Sequence, residues 1–154
     1  MKRVFEDLSV GETFHSSRRT VTEADIMAFA GVSGDFNPLH TDEEWVRQNT
    51  DFNGRIAHGA LLLAISTGLR TPELDDLQIV AFLELSRQMV APTYPGDTVS
   101  TVQRVSATKP SRSRPGAGIV TFEVTMQKTD GTVVQRGSDV YLIAGPAVSD
   151  DTSN

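Results

Sequence analysis

From Val120 to Met126 the chain alternates apolar and polar residues, with Thr121, Glu123 and Thr125 separating Val120, Phe122, Val124 and Met126. A period of two places each set on its own face of a strand, so this stretch reads as a half-buried β-strand. Thr129-Asp130-Gly131 follows, and Asp-Gly after such a run signals a hairpin turn. Val133–Ile143 is then the returning strand. Ile79–Val90 and Thr98–Ala107 read as two further strands, joined by a segment holding Pro92, Pro95 and Gly96.

The first half has a helical period after a short extended start. Thr22 is placed as an N-cap, with Asp25 three residues on as an acidic capping-box partner. Ile26, Met27, Phe29 and Ala30 supply an apolar face, and Gly31 is the expected stop. Thr41-Asp42-Glu43-Glu44 reads as the capping box of a second, short helix. His40 falls immediately before it, where the positive end of a helix dipole disfavours imidazolium and a neutral imidazole suits a general base. Residues 58–69 are apolar almost all round, the mark of a buried helix, and Gly59, Ala60 and Ala64 allow close packing on a sheet. Helices first and strands later indicate an α+β fold, an antiparallel sheet wrapped around one buried helix.

The length of 154 residues suits one domain, placed at residues 1–145, with the polar, acidic stretch 146–154 expected to be disordered. No apolar run approaches the roughly 20 residues of a membrane span, and the N-terminus lacks the apolar stretch of a signal peptide. With no cysteine there is neither a disulfide framework nor thiolate chemistry, and a cytoplasmic location is expected. A net charge of −6 argues against nucleic-acid partners. Lys109, Arg112 and Arg114 form a local basic patch against that background, read either as a solvated loop or as an anion contact.

The chemistry concentrates in Ser33-Gly34-Asp35-Phe36-Asn37-Pro38-Leu39-His40. Pro38 pushes Asn37 out of the α region, so the segment turns and a carboxylate and an imidazole can converge on one water. Gly59 opens the buried helix, leaving its N–H without an intrahelical acceptor and suited to a developing oxyanion. Asn37 either orients His40 or bonds its own backbone in an Asx-turn, the second being favoured. His58 is read as a structural histidine and Asp97 as a turn residue. Three histidines without metal-ligand spacing do not suggest zinc.

These residues resemble the MaoC-like (R)-specific enoyl-CoA hydratases, also called hydratase 2. Phe29, Val32, Ser33 and Gly34-Asp35-Phe36-Asn37-Pro38-Leu39-His40 match the family signature. Gly54-Arg55-Ile56-Ala57-His58-Gly59 resembles the loop into its central helix, and Tyr94-Pro95-Gly96-Asp97-Thr98-Val99 its later strand connection. Val46 stands where the family often has Ala or Ser. Thr67 replaces a small hydroxyl residue that lies near the catalytic Asp in relatives, and Lys109–Gly116 matches no family motif.

The resemblance implies a hot-dog fold, usually dimeric, and reversible hydration of trans-2-enoyl thioesters. Asp35 and His40 would hold the water, with Gly59, Asn37 and Thr67 around the substrate. Phe36, Leu62 and Trp45 are candidates for the acyl tunnel, each equally well explained as core. Lys109, Arg112 and Arg114 are candidates for the phosphates of a CoA substrate. No cofactor is expected beyond the CoA or acyl-carrier-protein thioester itself. Thioester hydrolysis and a non-catalytic thioester-binding subunit are the alternatives.

Overall fold

The computed structural model describes residues 2–146; all of the expected tail but Pro146 lies outside them. A 3-10 turn, Phe5–Asp7, leads into β1 (Thr13–His15) and β2 (Arg19–Thr20), followed by α1 (Glu23–Ser33), α2 (Pro38–Thr41) and α3 (Glu43–Asn49). Then come α4 (Gly59–Gly68), α5 (Pro72–Asp75), β3 (Ile79–Met89), β4 (Thr98–Pro110), β5 (Gly118–Lys128) and β6 (Val133–Ile143). The sheet order is β1-β4-β5-β6-β3, with β2 also pairing β4, and every ladder is antiparallel. No helix of the described residues is long and apolar enough to cross a membrane.

The strand expectations hold closely. Val120, Phe122, Val124 and Met126 are buried, and the β5–β6 turn places Gly131 at φ +88°. β4 runs on to Pro110, beyond the expected Ala107. A bulge between Val105 and Ala107 lets the ladder with β5 continue to Pro110 and Gly118.

The helix α4 lies on this sheet. Leu61, Leu62, Ile65 and the following Leu69 pack with Val21, Ile26, Val99, Met126 and Val134. Each such buried aliphatic side chain contributes about 1.5–3 kcal/mol relative to exposure. A second cluster, centred on Val105, Val120, Phe122 and Tyr141, fills the far end of the sheet. Within one chain α4 is not enclosed all round. Ala60, Ala64, Thr67 and Gly68 face outward. Of the small residues, Gly59 is the one that brings helix and sheet together, against Met89 of β3.

Two helix boundaries differ from expectation. The Thr22–Asp25 capping box forms as anticipated, with Asp25 N–H donating to Thr22 Oγ1 at 3.1 Å and Thr22 N–H to Asp25 Oδ2 at 2.8 Å. The helix then passes through Gly31 and ends at Ser33. Gly34, at φ +78°, makes the left-handed exit, and its N–H closes on the Ala30 carbonyl. Gly31 needs no such geometry and is simply an interior residue. Downstream, Asp42 rather than Thr41 caps α3, accepting from Trp45 N–H at 2.9 Å. Thr41 belongs to α2, started by Pro38 at its first turn. His40 therefore lies within α2 instead of directly preceding α3, and the argument from the α3 dipole loses its geometry.

β3 is the outer strand on its side of the sheet, and Phe82, Leu83 and Met89 are exposed along it, with Val90 exposed just past its end. On its inner face Arg87 Nη2 lies 2.8 Å from Asp139 Oδ1, both side chains 3% exposed. The contact is close but off-axis, so neither atom makes a well-aligned hydrogen bond. Burial pushes the Asp139 carboxyl above its ordinary value, and Arg87 opposes that shift without reversing it.

Candidate active site

The left-handed exit at Gly34 turns the chain sharply out of α1, so the next residues cross toward the start of α4. Asp35 Oδ1 accepts from Asn37 N–H at 3.2 Å, and Asn37 Oδ1 accepts from Leu39 N–H at 2.9 Å. These two successive Asx-type bonds hold the segment open and cap α2. Asn37 thus takes the backbone-bonding role. α2 then presents His40, almost fully buried, to the interior.

The loop before α4 supplies the partner for His40. Its Nδ1 lies 2.7 Å from the Ile56 carbonyl oxygen. A carbonyl only accepts, so Nδ1 carries a proton, and in the neutral ring the lone pair is on Nε2. Nε2 faces Asp35 Oδ2 at 3.9 Å. That gap is too long for a direct hydrogen bond. A gap of this size matches two hydrogen bonds of about 2.8 Å to one shared water, meeting at an angle near 90°.

The Ile56 carbonyl is itself held in place. Ile56 N–H donates to Leu39 O at 3.2 Å and Ala57 N–H to Thr93 O at 2.7 Å. Arg55 anchors the same loop to α1 and α3 through Glu23 and Glu43. Hydrogen bonds from the Arg55 main chain and guanidinium hold the Glu43 carboxyl below the usual carboxylate range.

His58 ends the loop. Its Nε2 lies 2.9 Å from the Asp35 main-chain oxygen. Its ring stacks on His40 with centroids 3.7 Å apart and planes 27° from parallel. Gly59, next in sequence, is the first residue of α4. The first helical bond runs from Leu62 N–H to His58 O, so the Gly59 N–H has no intrahelical acceptor.

His40 and Gly59 open into one cavity of about 410 Å³, walled by Leu62, Phe52, Ile56 and Met89 among others. Its lining is mainly apolar with a few polar groups, as small-molecule sites usually are. A larger groove of about 500 Å³ lies elsewhere, between β1 and α5. Glu12, His15, Arg70 and Glu73 line it, but neither His40 nor Gly59 does, so the smaller cavity is the candidate site; Asp35 and Asn37 are not among the walls of that cavity, and the half-exposed Asp35 side chain reaches it through His40.

Not every expected residue joins it. Leu62 lines the cavity, whereas Phe36 is 56% exposed and neither it nor Trp45 is among its walls; Phe52 takes that place. Thr67 lies about 12 Å further along α4 than Gly59 and donates to the Ala64 carbonyl at 2.7 Å. Lys109, Arg112 and Arg114 sit at or beyond the far end of β4, on the order of 35–40 Å of extended strand from Thr98. Within one chain they do not meet the cavity. Asp97 serves its turn, accepting from Tyr94 N–H at 2.8 Å and pairing with Lys128.

Asp35, His40 and His58 each offer a possible metal ligand atom, all within 4.8 Å of one another. A zinc ion needs nitrogens at about 2.0–2.1 Å on convergent lone pairs. Two stacked imidazoles do not converge in that way, so the cluster suits a water better than a metal ion.

An antiparallel sheet packed on one helix defines a hot-dog domain, with Asp35 and His40 near the start of that helix. The family model described as "MaoC like domain" matches residues 7–128. The chain is 32% identical over 143 residues to the (R)-specific enoyl-CoA hydratase of Rhodospirillum rubrum, covering 91% of this chain and 92% of that protein. The solved MaoC-like dehydratase of Rhodospirillum rubrum aligns with a TM-score of 0.77 at 33% identity, over 95% of this chain and 99% of that one. A Mycobacterium tuberculosis protein with a double hotdog fold aligns with a TM-score of 0.80 at 21% identity, over 99% of this chain and 47% of that one, a likeness of fold. The chain belongs to the MaoC-like domain family.

Proposed function

We propose that the protein is a hydro-lyase that adds water reversibly to trans-2-enoyl thioesters, giving (R)-3-hydroxyacyl thioesters. The observation that carries this is the 3.9 Å gap between His40 Nε2 and Asp35 Oδ2, beside the free Gly59 N–H. The family relatives named as hydratases support the same chemistry.

In the hydration direction, water sits between His40 and Asp35. Its oxygen bonds to C3 as the C2=C3 pair shifts toward the thioester. The negative charge that gathers on the thioester oxygen meets the Gly59 N–H at the positive end of α4. The dyad takes the water's proton, and a proton is delivered to C2 as the enolate collapses. No electrons are gained or lost overall, so the reaction calls for no redox cofactor. The acyl group occupies the apolar wall formed by Leu62 and Met89.

The substrate is an acyl-CoA of the cytoplasm, and the working unit is a homodimer formed through the apolar edge of β3. Contact between the CoA phosphates and Lys109, Arg112 or Arg114 requires that second copy, given their distance along β4.

The test follows the ultraviolet absorbance of the conjugated enoyl thioester with crotonyl-CoA and longer enoyl-CoAs. Wild type is expected to bleach it and yield the (R) product. Asp35→Asn and His40→Gln should each lose about 10²–10⁴-fold in kcat. Turnover undiminished in both variants would refute the assignment of the dyad.

A further inference from the structure

We infer that His58 is the positioning residue of the site, holding the proton-transfer dyad and the oxyanion donor in one rigid relation; the inference deepens the hydratase reading and rests on it. Three contacts converge on this ring. Nε2 donates to the Asp35 carbonyl at 2.9 Å. One face stacks on His40 at 3.7 Å, and Phe29 of α1 packs tilted against the ring at 5.0 Å. The fourth relation is covalent, since the next residue is Gly59. One buried side chain therefore touches both members of the dyad and adjoins the residue whose N–H faces the developing charge.

The cost of this arrangement is visible in the side chain. His58 occupies the N-cap position of α4 yet makes no capping hydrogen bond to that helix. Its Nδ1 is buried with no partner among the described residues. A histidine retained only to fill space or cap a helix would use those groups locally. Here the ring is turned away from its own helix, toward Asp35 and His40. The Asp35 carbonyl requires a proton on Nε2, so the tautomer of the neutral ring that fits this contact has its lone pair on Nδ1.

The two contacts can be separated by substitution. His58→Phe keeps a ring for His40 and removes the donor to Asp35. His58→Gln keeps an N–H donor and removes the ring. Because misplacement of about 1 Å costs on the order of 10²-fold in rate, His58→Phe is expected to lose about that much in kcat. KM for the enoyl-CoA should stay within about two-fold, because the walls of the cavity are untouched. His58→Gln should recover part of the loss. Equal falls through KM alone, or full kcat in His58→Phe, would overturn the inference.

A measurement independent of activity accompanies these. Nitrogen-15 NMR of the imidazoles in the wild-type protein should show His58 as the Nε2–H tautomer. The Nδ1–H tautomer would overturn the inference whether or not the protein hydrates enoyl thioesters and whether or not the variants fold. Wild type inert toward every enoyl thioester would instead refute the hydratase reading, while the tautomer still decides the geometry.

Discussion

Arg55 and Glu23 are joined by two parallel hydrogen bonds, 2.6 and 3.0 Å long, that tie the loop before α4 to the first turn of α1. The same guanidinium reaches Glu43 at the start of α3, at 3.2 Å. The next residue, Ile56, carries the carbonyl that sets the tautomer of His40. A clamp among half-exposed acids thus stands one residue from the carbonyl that holds His40.

Arg55→Ala is expected to lower stability by only about 1 kcal/mol, since exposed ion pairs contribute little. Its effect on kcat should exceed what that destabilisation explains. Arg55→Lys should restore part of the stability and less of the rate, because an ammonium cannot form the two-pronged contact. Urea melts beside steady-state kinetics check both parts.

Gly59→Ala tests the close approach of α4 to β3. An added Cβ would lie 3.0 Å from Met89 Cγ, the flexible side chain of a partly exposed residue. At the first position of the helix alanine gains less than the roughly 1 kcal/mol of a helix interior and loses some of that to crowding, so stability should change little. Met89 should be displaced into the cavity it walls, lowering kcat/KM for longer enoyl-CoAs more than for crotonyl-CoA. Met89→Ala in the same chain should relieve the loss. An unchanged chain-length profile in Gly59→Ala would contradict this.

The capping box of α1 gives a dependence on pH. Burial alone would raise the Asp25 carboxyl, but the Thr22 main chain and hydroxyl, with Arg19, outweigh it and hold the group below its ordinary value. A carboxylate lowered on folding stabilises the protein above its unfolded-state pKa. That stabilisation is lost as pH falls through the folded-state value. Thr22→Ala should therefore cost about 1 kcal/mol near neutral pH and progressively less in acid. Denaturant melts across an acid series read the difference, and a gap that widens in acid would contradict the sign.

Much of this was readable in the order of residues, and the exceptions have physical reasons. Alternation along β5 and the Asp-Gly turn identified a hairpin because both are local. Gly31 and Gly34 look equally good as helix stops. What separates them is which position turns left-handed, and that depends on where Asp35 must go. Thr41 and Asp42 are adjacent cap candidates, and Pro38 decided between them by starting a helix of its own. Asp35, His40 and Gly59 stand out by residue type and position, and the family resemblance adds the roles expected of them. The Ile56 carbonyl was not legible, since a main-chain acceptor leaves no mark in the residue type. His58 was read as structural because its three contacts come from segments remote in sequence. The outward face of α4 was masked by composition, as apolar residues there look the same whether their own chain covers them or not.

Met89 belongs to two structures at once. It ends the outer strand of the sheet, and it walls the cavity beside Gly59. A change of the chain at the end of β3 therefore alters the exposed edge of the sheet and the wall of the cavity together.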